Sequence, residues 1–514
     1  MSNNVNIDAL IPREDFEVKS EQTHSQPIQT IQIRDLETSA FFFNTIRKPD
    51  FQRETNEWGT GRVSDFIKSF LEGDLIPAII LWQGGGNIFV IDGSHRLSSL
   101  AAWVLDDYGD GMISRVFYSN MVPSEQIRVA ERTRRLVKNL VGSYKDHQDA
   151  ILNPDKFPVE IVNRSRQLAS LALQLQWVQG DASKAEASFF KINQQAAPID
   201  RTELKLLQSR NKPNALTARA IVRAGTGHKY WSRFSDDVIL EIEKYAKEIN
   251  DLLFSPELRT PIKTLDLPVA GRGYSSQTLP LVFDLVNISS NLGVNSLEDD
   301  SDGQATLACL NSCLNILNRI TGTHPSSLGL HPVVYFYSET GRYQPTSFFA
   351  IIEFVKELER KNQFESFTKV RKEFESFLLK YKRLSSQVVY KYGSSLKGYL
   401  PMNELLLFIL NTMIEGKGEK EVISEMGKEK RFSFLQPYDS SEQHVTGTDF
   451  NKDTKSEVFL KEALKEPIRC AICGGLIHYN SISIDHIQRK KDGGLGTIDN
   501  AQLTHPYCNT TIKN

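Results

Sequence analysis

The spacing of apolar residues changes character several times along the chain. Residues 1–25 are polar and aperiodic, which predicts a mobile tail. From about 26 to 210 short apolar runs alternate with helical stripes, the pattern of a mixed α/β domain. "IPAIILW" (76–82) and "NIFVI" (87–91) read as strands, separated by the turn "QGGG". Directly after them Leu97, Leu100, Ala101, Val104 and Leu105 recur at helical spacing, one buried stripe on a helix that starts near Ser94 as its N-cap. From 211 to 430 long helical patterns dominate, such as "SFFAIIEFVKELERK" (347–361) and "ELLLFILNTMI" (404–414). Residues 431–456 lose periodicity and gain Ser, Thr and Asp, which reads as a linker. Residues 457–514 form a compact C-terminal module. No internal repeat or low-complexity tract interrupts this order.

Composition narrows the picture. With 514 residues, 40% of them hydrophobic, the chain is long enough for about three domains with sizeable cores. A net charge of −2 excludes a globally basic nucleic-acid binder but not a local basic patch. No run of 18 apolar residues predicts a membrane span, so no membrane partner is expected. The N-terminal residues lack a basic segment followed by an apolar one, so no secretory signal is expected. Five cysteines in such a length do not make a disulfide framework, and a reducing, cytoplasmic location is the expectation. Cys309 and Cys313, four apart, fall on one helix face and read as small core residues. "RAGTGHKYW" (223–231) reads as a connector. "LLKYKRLSSQVVYKYGSSLKGY" (378–399) reads as a solvated amphipathic helix, with nucleic-acid contact as its alternative. The helical middle is expected to transmit state between the two ends or to mediate self-association as a homo-oligomer.

The densest chemistry lies in the last 45 residues. Cys470 and Cys473 form a C-x-x-C knuckle, and His505 and Cys508 follow in H-x-x-C spacing. Together they make a closed Cys₃His set, the donor chemistry of structural Zn²⁺. A module this small with few large apolar residues needs such a staple. Between the pairs, "SISID" alternates as a half-buried strand ending at Asp485, and His486 leaves the strand on the opposite side. "DGG" (492–494) marks a turn, then come Asn500 and, after the second knuckle, Asn509.

"DHI…GG…DNAQL…HPYCN…K" resembles the HNH (ββα-metal) endonucleases of the zinc-knuckle type, with His505 standing where the family usually has a cysteine. The resemblance implies metal-dependent hydrolysis of DNA phosphodiesters. His486 would be the general base, its ordinary pKa near neutrality suiting the task. Asp485 and Asn509 would hold one divalent cation, Mg²⁺ or Mn²⁺. Asn500 would orient the loop that carries His486. "RKK" (489–491) is either a solvated charge run or a contact to the DNA backbone.

A second constellation follows the strand at 87–91. Asp92-Gly93 makes a sharp turn into a helix whose first turn holds Ser94, His95 and Arg96. Free N–H groups at a helix N-terminus attract anions, and an arginine adds a forked donor. The alternative is a structural turn whose Arg96 pairs with a carboxylate. "DGSHR" here, "RKPDFQRETNEW" (47–58) and "FFKINQQAAPIDRTEL" (189–204) resemble the ParB/sulfiredoxin-like "DGQQR" domain of GmrSD-type restriction enzymes and SspE-type defence nucleases. The resemblance implies nucleotide binding, GTP or ATP, and sensing of modified DNA. It makes Gln52, Arg53, Asp92, Gly93, Ser94, His95 and Arg96 phosphate-site candidates. Ser94-His95 replaces the family's Gln-Gln, so hydrolysis would be weak here or His95 would take over the glutamine's role.

These readings give an α+β multidomain chain. A ParB/sulfiredoxin-like α/β domain (26–210), a helical middle (211–430) and a linker (431–456) precede an HNH module with structural zinc (457–514). The expected function is a nucleotide-regulated DNA endonuclease in antiphage defence, acting on phage or modified DNA. Two alternatives stand beside it: a nucleic-acid-binding regulator with a non-catalytic HNH fold, and an NTPase toxin that cuts no DNA.

Overall fold

The computed structural model describes residues 4–14, 16, 27–52, 58–196, 206, 209–273, 278–292, 297–437 and 450–513. Two compact units divide the chain. One holds Met1–Arg233 and Tyr274–Pro280, the other Phe234–Gly273 and Leu281–Asn514. The helical middle and the C-terminal module therefore share one unit, and the first unit runs past residue 210 to the end of the connector. Of the expected linker, residues 438–449 lie outside the described ones.

The first unit is built on a six-stranded mixed sheet in the order β1-β3-β5-β4-β6-β2. The strands are β1 (Arg13–Glu14), β2 (Thr30–Gln32), β3 (Ile46–Pro49), β4 (Ile79–Gly84), β5 (Asn87–Asp92) and β6 (Ala172–Trp177). β1, β3 and β5 run parallel, and β4 returns antiparallel beside β5. That hairpin is the one expected from "QGGG", in which Gly85 and Gly86 take φ of 57° and 80°. Alternation sorts the side chains onto two faces. Ile79, Leu81 and Val90 join one core with helices Thr60–Glu72, Ser94–Leu105 and Ser124–Val141. Trp82, Phe89 and Ile91 face the other way, where Phe16, Phe51 and Phe189 cover them.

The expected tail is corrected in part. Val5, Ile7, Leu10 and Ile11 are fully buried in the first core, and β1 pairs with β3. Four apolar side chains among polar ones give no period of their own, so their partner is a distant strand rather than a neighbouring turn. Residues 1–3, 15 and 17–25 of that tail lie outside the described residues.

The second unit packs long amphipathic helices, among them Asp236–Phe254 against Gln304–Ile320 and Pro345–Arg360 against Tyr399–Ile414. Cys309 and Cys313 are buried in its core, as their helical spacing predicts. Its C-terminal part is an antiparallel ribbon of β7 (Ser483–His486) and β8 (Ala501–Thr504), followed by a π-helical turn at Cys508–Ile512.

Candidate active site and metal cage

Two tight turns bring the four expected metal donors together. Gly474 takes φ +68°, which lets the chain reverse after Cys473, and Cys470 N–H donates to the Gly475 carbonyl at 2.9 Å. The Ala471 amide pairs with the Leu503 carbonyl, seating this knuckle on β8. The three sulfurs of Cys470, Cys473 and Cys508 and a ring nitrogen of His505 all lie within 4.8 Å of one another, and all four residues are buried. A tetrahedral ion with bonds of roughly 2.0–2.3 Å needs ligand separations of this order. The Leu476 carbonyl lies 3.0 Å from His505 Nε2, which fixes the ring proton there and leaves the Nδ1 lone pair toward the thiols. Cys473 Sγ is 3.3 Å from that Nδ1.

A buried ion pair, which sequence reading missed, supports this cage. Arg371, on helix Phe364–Lys380, bonds Glu375 at 2.7 Å, and both side chains are 1% exposed or less. Its guanidinium also reaches the carbonyls of Leu328 and Gly329 and comes 3.2 Å from His505 Nδ1. Glu375 accepts in turn from Tyr335 and from the Leu476 amide. A Cβ at Gly475 would come 2.4 Å from Arg371 Nε, so glycine is required for this approach. Nearby Cys473 and Cys508 help Glu375 keep Arg371 charged despite its burial. The signal was present in the sequence, since Arg371 and Glu375 sit four apart among Phe367, Phe374 and Phe377, where a helix's buried stripe falls.

The ribbon carries the expected catalytic residues. Asp485 faces Gln502 across the ladder and His486 faces Ala501. Asp485 is 7% exposed. Its Oδ2 accepts from Gln502 Nε2 at 2.7 Å and from Lys513 Nζ at 2.6 Å. Burial opposes ionisation of Asp485, but these hydrogen bonds outweigh it and hold the carboxyl below the ordinary carboxylate range. Lys513 also reaches the carbonyls of His486 and Ile487, so its ammonium sits among three oxygens. Asn509 Nδ2 donates to Ser483 Oγ at 2.7 Å, on the same strand face as Asp485. The half-buried His486 emerges on the other face.

Asn500 ties down the loop after His486. Its Oδ1 accepts from the Gln488 amide at 2.6 Å, and its Nδ2 donates to the Gln488 and Leu495 carbonyls. The loop closes so tightly that a Cβ at Gly494 would lie 1.9 Å from the Gln488 carbonyl oxygen. Arg489, Lys490 and Lys491 lie exposed on it, Arg489 4.0 Å from Asp492. The exposed Ile484, Ile487, Leu495 and Ile498 lie on the same ribbon and loop.

In the first unit the Asp92–Arg96 turn is built as expected, with one shift. Gly93, at φ +97°, is the N-cap and Ser94 is already helical. Only a residue that tolerates this conformation can link β5 to the helix so abruptly. Arg96 folds back onto Asp92 at 2.5 Å and onto the Pro77 and Ala78 carbonyls, which is the structural alternative. His95 stacks on Trp58 with ring centroids 5.6 Å apart. Arg62 covers that indole, its guanidinium carbon 4.5 Å from the ring centroid. Ser94 and Gln52 are buried, and Arg53 lies outside the described residues.

Among the described residues no helix is long and apolar enough to cross a membrane. No curated protein and no solved structure matches the chain. Two families do. Residues 33–211 match the GmrSD restriction endonuclease N-terminal domain, and residues 470–514 match the HNH endonuclease family. The chain is thus similar to a GmrSD-type N-terminal domain over its first part and to an HNH endonuclease over its last 45 residues.

Proposed function

We propose that the chain is a nucleotide-regulated DNA endonuclease of antiphage defence, in which the first unit senses nucleotide or modified DNA and the ribbon of the second cuts. The observation that carries this reading is one short ribbon bearing Asp485 and His486, with Asn500 and Asn509 bonded to it and to its loop, beside a buried Cys₃His cage. The cage suits Zn²⁺ in a structural role, since four protein ligands leave no open position. On the strand face of Asp485 the donors are hard oxygens, the set that Mg²⁺ or Mn²⁺ prefers. Such an ion, when bound, supplies positive charge against the scissile phosphate and the leaving oxygen.

The chain's own residues divide the remaining work. His486 takes a proton from the attacking water, and Asn500 holds the loop that follows it. Asp485, kept ionised by Lys513 and Gln502, is ready to meet a cation without first losing a proton. Asn509 braces the strand through Ser483. Arg489, Lys490 and Lys491 meet backbone phosphates, giving affinity without sequence preference.

Incubation of supercoiled DNA with the protein and Mg²⁺ or Mn²⁺ tests this reading. Wild type is expected to nick or linearise it, and His486→Ala to lose about 10²–10⁴-fold in rate. Equal cutting by the variant removes His486 from its role. Comparing modified with unmodified phage DNA, with and without GTP and ATP, tests the regulation. One observation favours the regulator with non-catalytic HNH fold: the Lys513 ammonium already sits on the Asp485 carboxylate. That reading predicts no cleavage under any metal, with DNA binding intact.

A further inference from the structure

The turn after the second metal knuckle is wound one residue wider than an α-turn. Cys508–Ile512 is π-helical, and the Lys513 amide closes it by donating to the Cys508 carbonyl at 3.3 Å. Such wide turns are rare and recur at functional sites. Both flanks of this one are fixed. Thr510 Oγ1 bonds the Pro325 carbonyl at 2.8 Å, and Asn509 Nδ2 donates to Ser483 Oγ and the Ile484 carbonyl on β7. The turn begins at a cage cysteine and delivers Lys513 to the other end of the same strand. There its Nζ lies 2.6 Å from Asp485 Oδ2 and 3.4 Å from the Ile487 carbonyl, and it donates to the His486 carbonyl between them.

Three oxygens around one positive charge make a cation site, and its occupant here is a side chain of the chain itself. The side chains of Lys513 and Asp485 are 19% and 9% exposed, so salt and water screen the pair little. Asp485 Oδ2, the oxygen that holds the ammonium, is also a hard donor of the kind a divalent ion uses. An ion bonded to it at roughly 2.1 Å and an ammonium 2.6 Å from the same oxygen would repel each other at close range. The two cannot share the carboxylate, so Lys513 has to move when an ion enters. Lysine suits this, being a compact charge on a flexible stem that binds phosphate as a point charge. The nuclease reading brings such an anion to this place, because His486, whose carbonyl holds the ammonium, belongs to the reacting centre.

We propose that Lys513 is a further active-site residue with two positions. In the free protein its ammonium fills the cation site on Asp485. In the DNA complex a divalent ion takes that site, and Lys513 turns to an oxygen of the backbone phosphate beside His486. This rests on the nuclease reading and deepens it, giving the lysine a part in the joint binding of metal and substrate. Each ligand then favours the other: metal frees the ammonium for phosphate, and phosphate draws it off the carboxylate. Metal alone binds weakly, so the site is completed only on substrate.

Mn²⁺ binding to the full chain, its cage filled with Zn²⁺, tests this through the loss of the free ion's electron paramagnetic resonance signal. Every protein compared carries His486→Ala, so that a short added duplex stays whole. Without DNA, Lys513→Met is expected to bind Mn²⁺ about tenfold more tightly than the parent, and Lys513→Arg to stay near the parent. The duplex is expected to tighten Mn²⁺ binding in the parent and to do so much less in Lys513→Met. Asp485→Asn is expected to lose Mn²⁺ whichever residue stands at 513. If Lys513→Met binds no more tightly than the parent, or if the duplex helps both equally, the inference falls, and loss of Mn²⁺ in Asp485→Asn leaves the nuclease reading standing. If Asp485→Asn binds as well as the parent, or no protein binds Mn²⁺, the cation site of the nuclease reading falls too. Cutting assays with His486 restored give a second readout. Lys513→Met is expected to need less Mn²⁺ and more DNA for its half-maximal rate. Shifts in the same direction, as damage to the fold would give, or no shift at all, overturn the inference.

Discussion

Arg371 and Arg219 are both buried arginines, and they differ in one respect. Arg371 directs its N–H groups at Glu375, two carbonyls and the His505 ring. Arg219 lies on an aromatic face with Nη1 unbonded. A cation whose donors are all satisfied holds a structure together. A buried cation that keeps a donor unbonded repays less of its desolvation cost. The comparison teaches that burial alone does not measure what an arginine contributes, whereas hydrogen-bond completeness does.

The comparison is most exposed to Arg371→Met. Removing this guanidinium leaves Glu375 charged and buried, and the second unit is expected to lose about 3–5 kcal/mol. Thermal melting with limited proteolysis of residues 470–513 reads the effect, and an unchanged melt would show that the cage is not keyed to the helix. Asn500→Ala comes next. It strips three hydrogen bonds from the loop after His486, at a cost of about 1–3 kcal/mol. Faster hydrogen exchange at the Gln488 amide should accompany slower cutting, and protection equal to wild type would detach Asn500 from that loop.

Acid separates the units further. Burial opposes ionisation of Asp8, yet Arg13 and Lys48 hold its carboxyl well below the ordinary carboxylate range. Its folded pKa is depressed, so its stabilising contribution is complete above about pH 4 and is lost as pH falls through the folded value. Asp8→Asn is expected to melt lower than wild type near neutrality and to show a flatter acid limb. A variant with the wild-type pH profile would remove Asp8 from the balance. The smallest effect is expected at the surface, where Lys490→Ala should leave the fold intact and lower the salt dependence of DNA binding by about one unit of slope. An unchanged slope would mean Lys490 meets no phosphate.

Much of the local structure was legible. The β4–β5 hairpin, the helix over 345–360 and the Cys₃His set depend on neighbours close in sequence or on ligand spacing, and period or motif reveals them. What stayed hidden depends on long-range pairing. β1 is two residues long and has meaning only beside β3. The Arg219–Arg223 cluster joins residues 8, 13 and 48 to a connector that reads as featureless, because no local period encodes a counter-charge some 200 residues away. In the ribbon, motif order singled out Asp485, on β7, and Asn509, in the π-helical turn that bonds β7 through Ser483. It did not foretell that Lys513 would cover the carboxylate.

The lock between Arg371 and the Leu476–His505 region has a consequence for biosynthesis. Helix Phe364–Lys380 leaves the ribosome well before its partners at 476 and 505 are made. Until then its arginine and glutamate lack part of their lining. A chain cut short before residue 476 therefore leaves a charged seam unfinished. The ribbon's residues and a completed bundle therefore arrive together.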